Sequence, residues 1–142
     1  MKKILFPLLI LLLRFHSVHA QGISPDSSFA LAQQKQEQVL LVFSGSDWCA
    51  PCMRFEKKVL NDPSFLQFTE GHLIVVKADF PQSKKLSPQT VKENEELARK
   101  FNPSGSFPLI VLLDPDQKVQ TYLEYHNEGP GDFIELLNHY LQ

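Results

Sequence analysis

Cysteine is scarce in this chain: Cys49 and Cys52 are its only two, separated by two residues. No second C-x-x-C accompanies them, and past residue 20 there is no closely spaced histidine pair. A structural zinc site needs four ligands, so a zinc reading would have to recruit the distant His72 and His126, and no metal is expected. Basic residues are not in excess either, with 14 Lys and Arg against 16 Asp and Glu. That argues against nucleic acid as a partner, whose phosphates demand a basic surface. No apolar run approaches the roughly 20 residues that span a bilayer as a helix. Long charge runs, low-complexity tracts and internal repeats are absent as well. With 43% apolar and 21% charged residues in 142 positions, the composition is that of one ordinary globular domain.

What is present begins with the first twenty residues. Lys2 and Lys3 precede an unbroken apolar run from Ile4 to Leu13, and a polar patch then ends in Val18-His19-Ala20. This three-part pattern predicts a secretory signal peptide over residues 1–20, cleaved after Ala20, with one domain over residues 21–142. The protein is therefore expected to be exported to a periplasmic or other extracytoplasmic space. An uncleaved membrane anchor is the alternative, although Pro7 suits a signal better. A lipid anchor is not expected, because the leader carries no cysteine. Removing Lys2, Lys3 and Arg14 leaves eleven cations against sixteen anions, a formal net charge of −5. A monomer is expected.

The remaining pattern alternates between helical and extended signals. Helix is predicted over 27–37, then a strand at Val39–Phe43 ended by Ser44-Gly45-Ser46. Ala50 to Leu60 reads as a helix with Phe55, Val59 and Leu60 on its buried stripe and Pro51 in its first turn. Asn61-Asp62-Pro63 stops it, and Ser64 to Thr69 adds a helical turn. Strand Leu73–Ala78, a polar loop Phe80–Pro88 and a helix Gln89–Phe101 follow. Strands Pro108–Leu113 and Val119–Tyr125 flank a Pro115-Asp116 turn, and Gly129-Pro130-Gly131-Asp132 opens a last helix. Long helical connections predict parallel neighbours with right-handed crossovers, and the short turn predicts an antiparallel hairpin. The expected fold is α/β: a four-stranded mixed sheet with helices on both faces.

The cysteine spacing carries the chemistry. A disulfide closing so small a loop removes little chain entropy, so reactivity is a better reason for the spacing than stability. Strand, loop and helix place Cys49 at a helix N-terminus, where free N–H groups and the helix dipole stabilise a thiolate. Such settings lower a thiol's pKa to roughly 3.5–7.5, from about 8.5. Cys52, one turn further in, is placed to close a disulfide with Cys49. The expectation is an exposed nucleophile, Cys49, and a resolving Cys52 packed behind it.

These residues carry a resemblance. Ser46-Asp47-Trp48-Cys49-Ala50-Pro51-Cys52, after its strand, resembles the W-C-x-P-C active site of thioredoxins. Phe107-Pro108, about 55 residues later and before a strand, resembles that family's cis-proline loop. Glu56 to Asp62, followed by Val-Val-Lys-Ala-Asp, is similar to an exported thioredoxin-like subgroup with an S-x-x-W-C-x-x-C signature. The similarity covers roughly residues 27–142. It implies a thioredoxin fold and a cis bond before Pro108. It also implies a substrate segment docked in extended form against Trp48, Phe107 and Pro108. One departure stands out. Thioredoxins carry a buried Asp six residues before the first cysteine, and this chain has Phe43 there. Glu56, one turn after Cys52, is the nearest substitute for handling the proton.

The expected function is a thiol–disulfide oxidoreductase for extracytoplasmic proteins, leaning toward reduction because Ala50-Pro51 resembles reducing thioredoxins. It would need no cofactor. Its partners would be proteins bearing thiols or disulfides and a separate redox protein exchanging electrons with the pair. The alternative is a binding or chaperone-like module whose disulfide is structural. Asp47 and the Lys84-Lys85 pair read as loop residues, and His72, His126 and His139 as surface residues without a role.

Overall fold

The computed structural model describes residues 24–141, so the leader and its cleavage position lie outside the described residues. Two helices begin with the same device. Ser24 caps α1 (Pro25–Lys35) by accepting from the Ser27 N–H, and Ser87 caps α4 (Pro88–Phe101) by accepting from the Thr90 N–H. In both, proline opens the helix, where a missing N–H costs nothing. The first helix therefore starts two residues before the expected 27. It ends early because Gln36 turns left-handed at φ 56°. Between these helices lie β1 (Gln38–Ser44), α2 (Ala50–Phe55), a π-helical turn (Glu56–Leu60), α3 (Pro63–Thr69) and β2 (Leu73–Asp79). After α4 come β3 (Leu109–Leu113), β4 (Val119–Leu123) and α5 (Pro130–Asn138).

The four strands form one mixed sheet in the order β2-β1-β3-β4. β1 is parallel to β2 and antiparallel to β3, and β3–β4 is the expected hairpin. In its turn the Asp114 carboxylate accepts from the Lys118 N–H at 2.8 Å. One topological expectation is corrected. The long connection through α4 does not make β2 and β3 parallel neighbours. Asp79 at the end of β2 pairs with Ser44, while Leu109 at the start of β3 pairs with Phe43. The chain thus leaves β2 and joins β3 at one end of the sheet, and β3 runs back antiparallel. An amphipathic pattern tells which helix face is buried, not the end at which the chain rejoins the sheet.

β1 is central and covered on both faces, and its side chains alternate between two cores. Leu40 and Val42 join Phe55, Val59, Phe65, Phe133 and Leu137 on the side of α2, α3 and α5. Val39, Leu41 and Phe43 join Phe29, Ala32, Leu97 and Phe101 on the side of α1 and α4. Helices therefore flank both faces, as the pattern implied. The sheet end where β1 and β2 finish and β3 begins is also where the cysteine loop sits.

Candidate active site

Cys49 is the N-cap of α2, and its Sγ accepts a hydrogen bond from the Cys52 N–H at 3.3 Å. The geometry follows from the local sequence. Ala50 and Pro51 begin the helix, and Pro51, having no N–H, needs no acceptor in its first turn. Cys49 and Cys52 are joined by a disulfide, with their Cα atoms 5.2 Å apart. The expectation of an exposed Cys49 is corrected. Both cysteines are buried in this oxidised form, Cys49 at 5% exposure and Cys52 at 2%. The exposure around them is carried by Trp48, Ala50, Pro51 and Met53.

Trp48 is 41% exposed, yet it is fixed from three sides. Its Nε1 donates to the Phe80 carbonyl at 2.8 Å. Its ring meets Phe107 edge-on at 5.4 Å. Its third support is Gly45, whose backbone lies so close to the indole that a Cβ there would come within 2.3 Å of it. Phe107 also packs against Phe80 at 5.5 Å, and the Phe107–Pro108 bond is cis. Trp48, Phe107 and Pro108, widely separated in sequence, thus meet near the cysteine helix.

The loop before Cys49 is tied down residue by residue. Ser46 donates through its N–H and hydroxyl to the two oxygens of Asp79, at 2.9 and 2.6 Å. The Asp47 carboxylate accepts from the N–H groups of Gln82 at 2.8 Å, Ser83 at 2.7 Å and Lys84 at 3.3 Å, and from the Ser83 hydroxyl. The Ser83 hydroxyl and the Gln82 N–H, helped by those of Ser83 and Lys84, hold this carboxyl well below the usual range, against a smaller desolvation effect. Asp47 is therefore a clamp rather than an idle loop acid. Nothing in a single sequence connects it to a segment thirty-five residues away.

On the other side of the pair, a hollow of about 170 Å³ is lined by Ser44, Ser46, Cys52, Met53, Glu56 and Lys57. Glu56 begins the π-helical turn and accepts from Lys77 of β2 at 2.8 Å. The π turn replaces the second half of the uninterrupted helix expected over 50–60, and such turns often mark functional sites. Phe43, which stands where thioredoxins have their acid, packs in the α1–α4 core. The neighbouring Ser44 is the β1 residue that lines the hollow beside Cys52.

His72 sits next to Leu73, where β2 begins, and the cysteines lie at the end where it finishes. The far-fetched zinc set is therefore not brought together. Among the described residues no helix is long and apolar enough to cross a membrane.

The chain is similar to known proteins in sequence and in fold. The disulfide bond reductase DsbH of Chlamydia pneumoniae is 30% identical over 107 residues, 74% of this chain and 64% of that protein. The thioredoxin-related protein DsbJ of the same organism is 26% identical over 119 residues, 82% of this chain but 34% of that one. The chain thus spans just under two thirds and about one third of the length of these relatives. A solved DsbH oxidoreductase structure superposes with a TM-score of 0.77 at 25% identity, covering 83% of this chain and 81% of that one. The family model described as thioredoxin-like matches residues 23–115, from before α1 through β3. With that match running through the cysteine helix and the cis-proline, the chain belongs to the thioredoxin-like family.

Proposed function

We propose that this chain is a thiol–disulfide oxidoreductase for proteins outside the cytoplasm, with Cys49 as nucleophile and Cys52 as resolving cysteine. The observation that carries the reading is a bonded cysteine pair at the head of α2, where the Cys52 N–H points at Cys49 Sγ. A thiolate on Cys49 would accept the same hydrogen bond and lie at the positive end of the helix.

In the reducing direction, the Cys49 thiolate attacks one sulfur of a substrate disulfide and the other sulfur leaves as a thiolate. Cys52 then loses its proton and attacks Cys49 Sγ, which releases the second substrate thiol. The substrate gains two electrons, and the protein is left with the disulfide. A separate dithiol protein must reduce it again. Glu56 lines the hollow that reaches Cys52 and, held by Lys77, takes the proton from the Cys52 thiol. Trp48, Phe107 and Pro108 form the surface on which the substrate segment lies. Reduction is favoured over oxidation by the Ala50-Pro51 pair and by the naming of the relative DsbH as a reductase. In this reading, residues 1–20 serve as a cleaved export leader, the mature protein begins at Gln21, and the domain acts as a monomer.

Insulin-disulfide reduction tests the activity. Turnover in the wild type, lost in Cys49→Ser, is the expected result. Full activity in Cys49→Ser would remove Cys49 as nucleophile. A wild type without turnover would leave a thioredoxin-fold binding module with a structural disulfide. Trapping by Cys52→Ala identifies the partners. A reduction potential near about −270 mV supports reduction, and one near about −120 mV supports oxidation. Recovery of an exported product that begins at Gln21 tests the leader.

A further inference from the structure

A second hollow of about 170 Å³ lies between the loop after β2 and α4, away from the hollow at Cys52. Phe80, Pro81, Leu86 and Val91 give it an apolar lining, and the exposed Lys84 and Glu95 stand on its walls. A cavity of roughly 150 Å³ accommodates a benzene-sized group, so this volume suits one leucine- or phenylalanine-sized side chain. Val91 is 41% exposed, so the hollow is reachable from solvent.

Its wall is continuous with the cysteine loop. Phe80 lines the hollow, holds the Trp48 indole through its carbonyl and packs on Phe107, the residue before cis-Pro108. Asp47, two residues before Cys49, grips the backbone from Gln82 to Lys84. At the floor, Asn94 of α4 donates to the Asp79 carbonyl at 2.7 Å. The loop from Phe80 to Ser87 is therefore bound to the cysteine loop, and the Asp79 carbonyl just before it to α4. A polypeptide held against Trp48 and Phe107 has Phe80 beside it and the hollow next along the surface.

We infer that this hollow is a specificity subsite, which takes an apolar side chain flanking the reactive cysteine of a polypeptide substrate, and that Asp47 is the positioning residue that holds its wall in register with Cys49. The inference rests on the oxidoreductase reading above.

The test uses seven-residue peptides, each joined through its central cysteine to glutathione, with dithiothreitol as the electron source. Cys49 Sγ bonds to the peptide sulfur and glutathione leaves as a thiolate. Cys52 then displaces the peptide thiol, and dithiothreitol returns the protein to the dithiol. One leucine is moved through the flanking positions, and aspartate is placed at the same positions in a matched set. The readout is the ratio of kcat/KM for leucine over aspartate, which cancels any change in the cysteine chemistry common to both peptides. At the best position the wild type is expected to favour leucine by about tenfold, the low end of what an apolar pocket delivers. Val91→Glu and Asp47→Ala are expected to bring the ratio near one, and Val91→Ile to preserve it, with circular dichroism confirming that each variant is folded. A ratio below about two at every position, or one that survives Val91→Glu or Asp47→Ala, would overturn the subsite. No turnover of any peptide or of hydroxyethyl disulfide by the wild type would instead overturn the oxidoreductase reading, and the subsite with it.

Discussion

In the proposed reaction Glu56, held by Lys77, takes the proton of Cys52, because Phe43 of β1 offers no proton acceptor and packs in the α1–α4 core. Glu56→Gln is expected to slow the Cys52 resolving step by about 10²-fold near neutral pH, the lower range of general-base contributions. Rapid-mixing kinetics of mixed-disulfide decay checks this, and an unchanged rate would free Glu56 from the role. Gly45 is equally exacting for a different reason. Gly45→Ala forces the indole away from Phe80, so the emission of Trp48, the only tryptophan, should shift to the red. The overpacking is expected to cost about 1–3 kcal/mol by urea unfolding. Asp47 leads to a pH prediction. Its folded pKa lies below the ordinary carboxylate value near 4, so its stabilising effect is complete above that value and lost only as pH falls through the lowered one. Trp48 emission should therefore stay constant from pH 7 to about 4, and a change within that window would contradict the clamp. The cysteines and Trp48 were legible from spacing and neighbours. Gly45, Ser44 and the clamping role of Asp47 were not, because each acts on a group brought near only by folding.

At the scale of elements, the helix signals were read to within a residue or two, because caps and prolines act locally. Ser24-Pro25 and Ser87-Pro88 are such signals, although each helix begins slightly earlier than its apolar pattern suggested. The π turn was invisible, since Glu56 to Leu60 carries an ordinary helical pattern. Its Asn61 N–H reaches back to the Glu56 carbonyl at 2.9 Å, and Lys58 caps the Asn127 carbonyl at 2.7 Å. The first closes the turn, and the second ties it to the loop before α5. α5 docks through Phe133, fully buried and 5.0 Å from the Phe55 ring. Phe133→Ala is expected to lose about 3–5 kcal/mol. Because Phe55 lies on the cysteine helix, the same variant should also raise hydrogen exchange in residues 50–60. A stability loss with no change there would show that α5 supports the sheet alone.

For the whole molecule, two cores on either side of β1 hold the fold, and the disulfide closes only a short loop at one end. Replacing both cysteines by serine should cost no more than about 2 kcal/mol of chain entropy. The far-UV circular dichroism should be unchanged and insulin reduction abolished. Unfolding of the double variant would make the disulfide a structural staple and weaken the enzyme reading. Composition, the two-sided apolarity of β1 and the C-x-x-C at a strand–helix junction by themselves determined the fold class and the bonded cysteine pair. These are local signals, written in periodicity and in adjacent residues. Only the tertiary structure decided that β3 returns antiparallel at the cysteine end. The same arrangement gathers Phe80, Phe107 and Trp48 there, places Glu56 against Lys77 and anchors Asp47 to a distant loop. Such contacts join residues from 21 positions apart, as Glu56 and Lys77, to 74, as Val39 and Leu113, and no pattern along one chain encodes which distant partner each will meet.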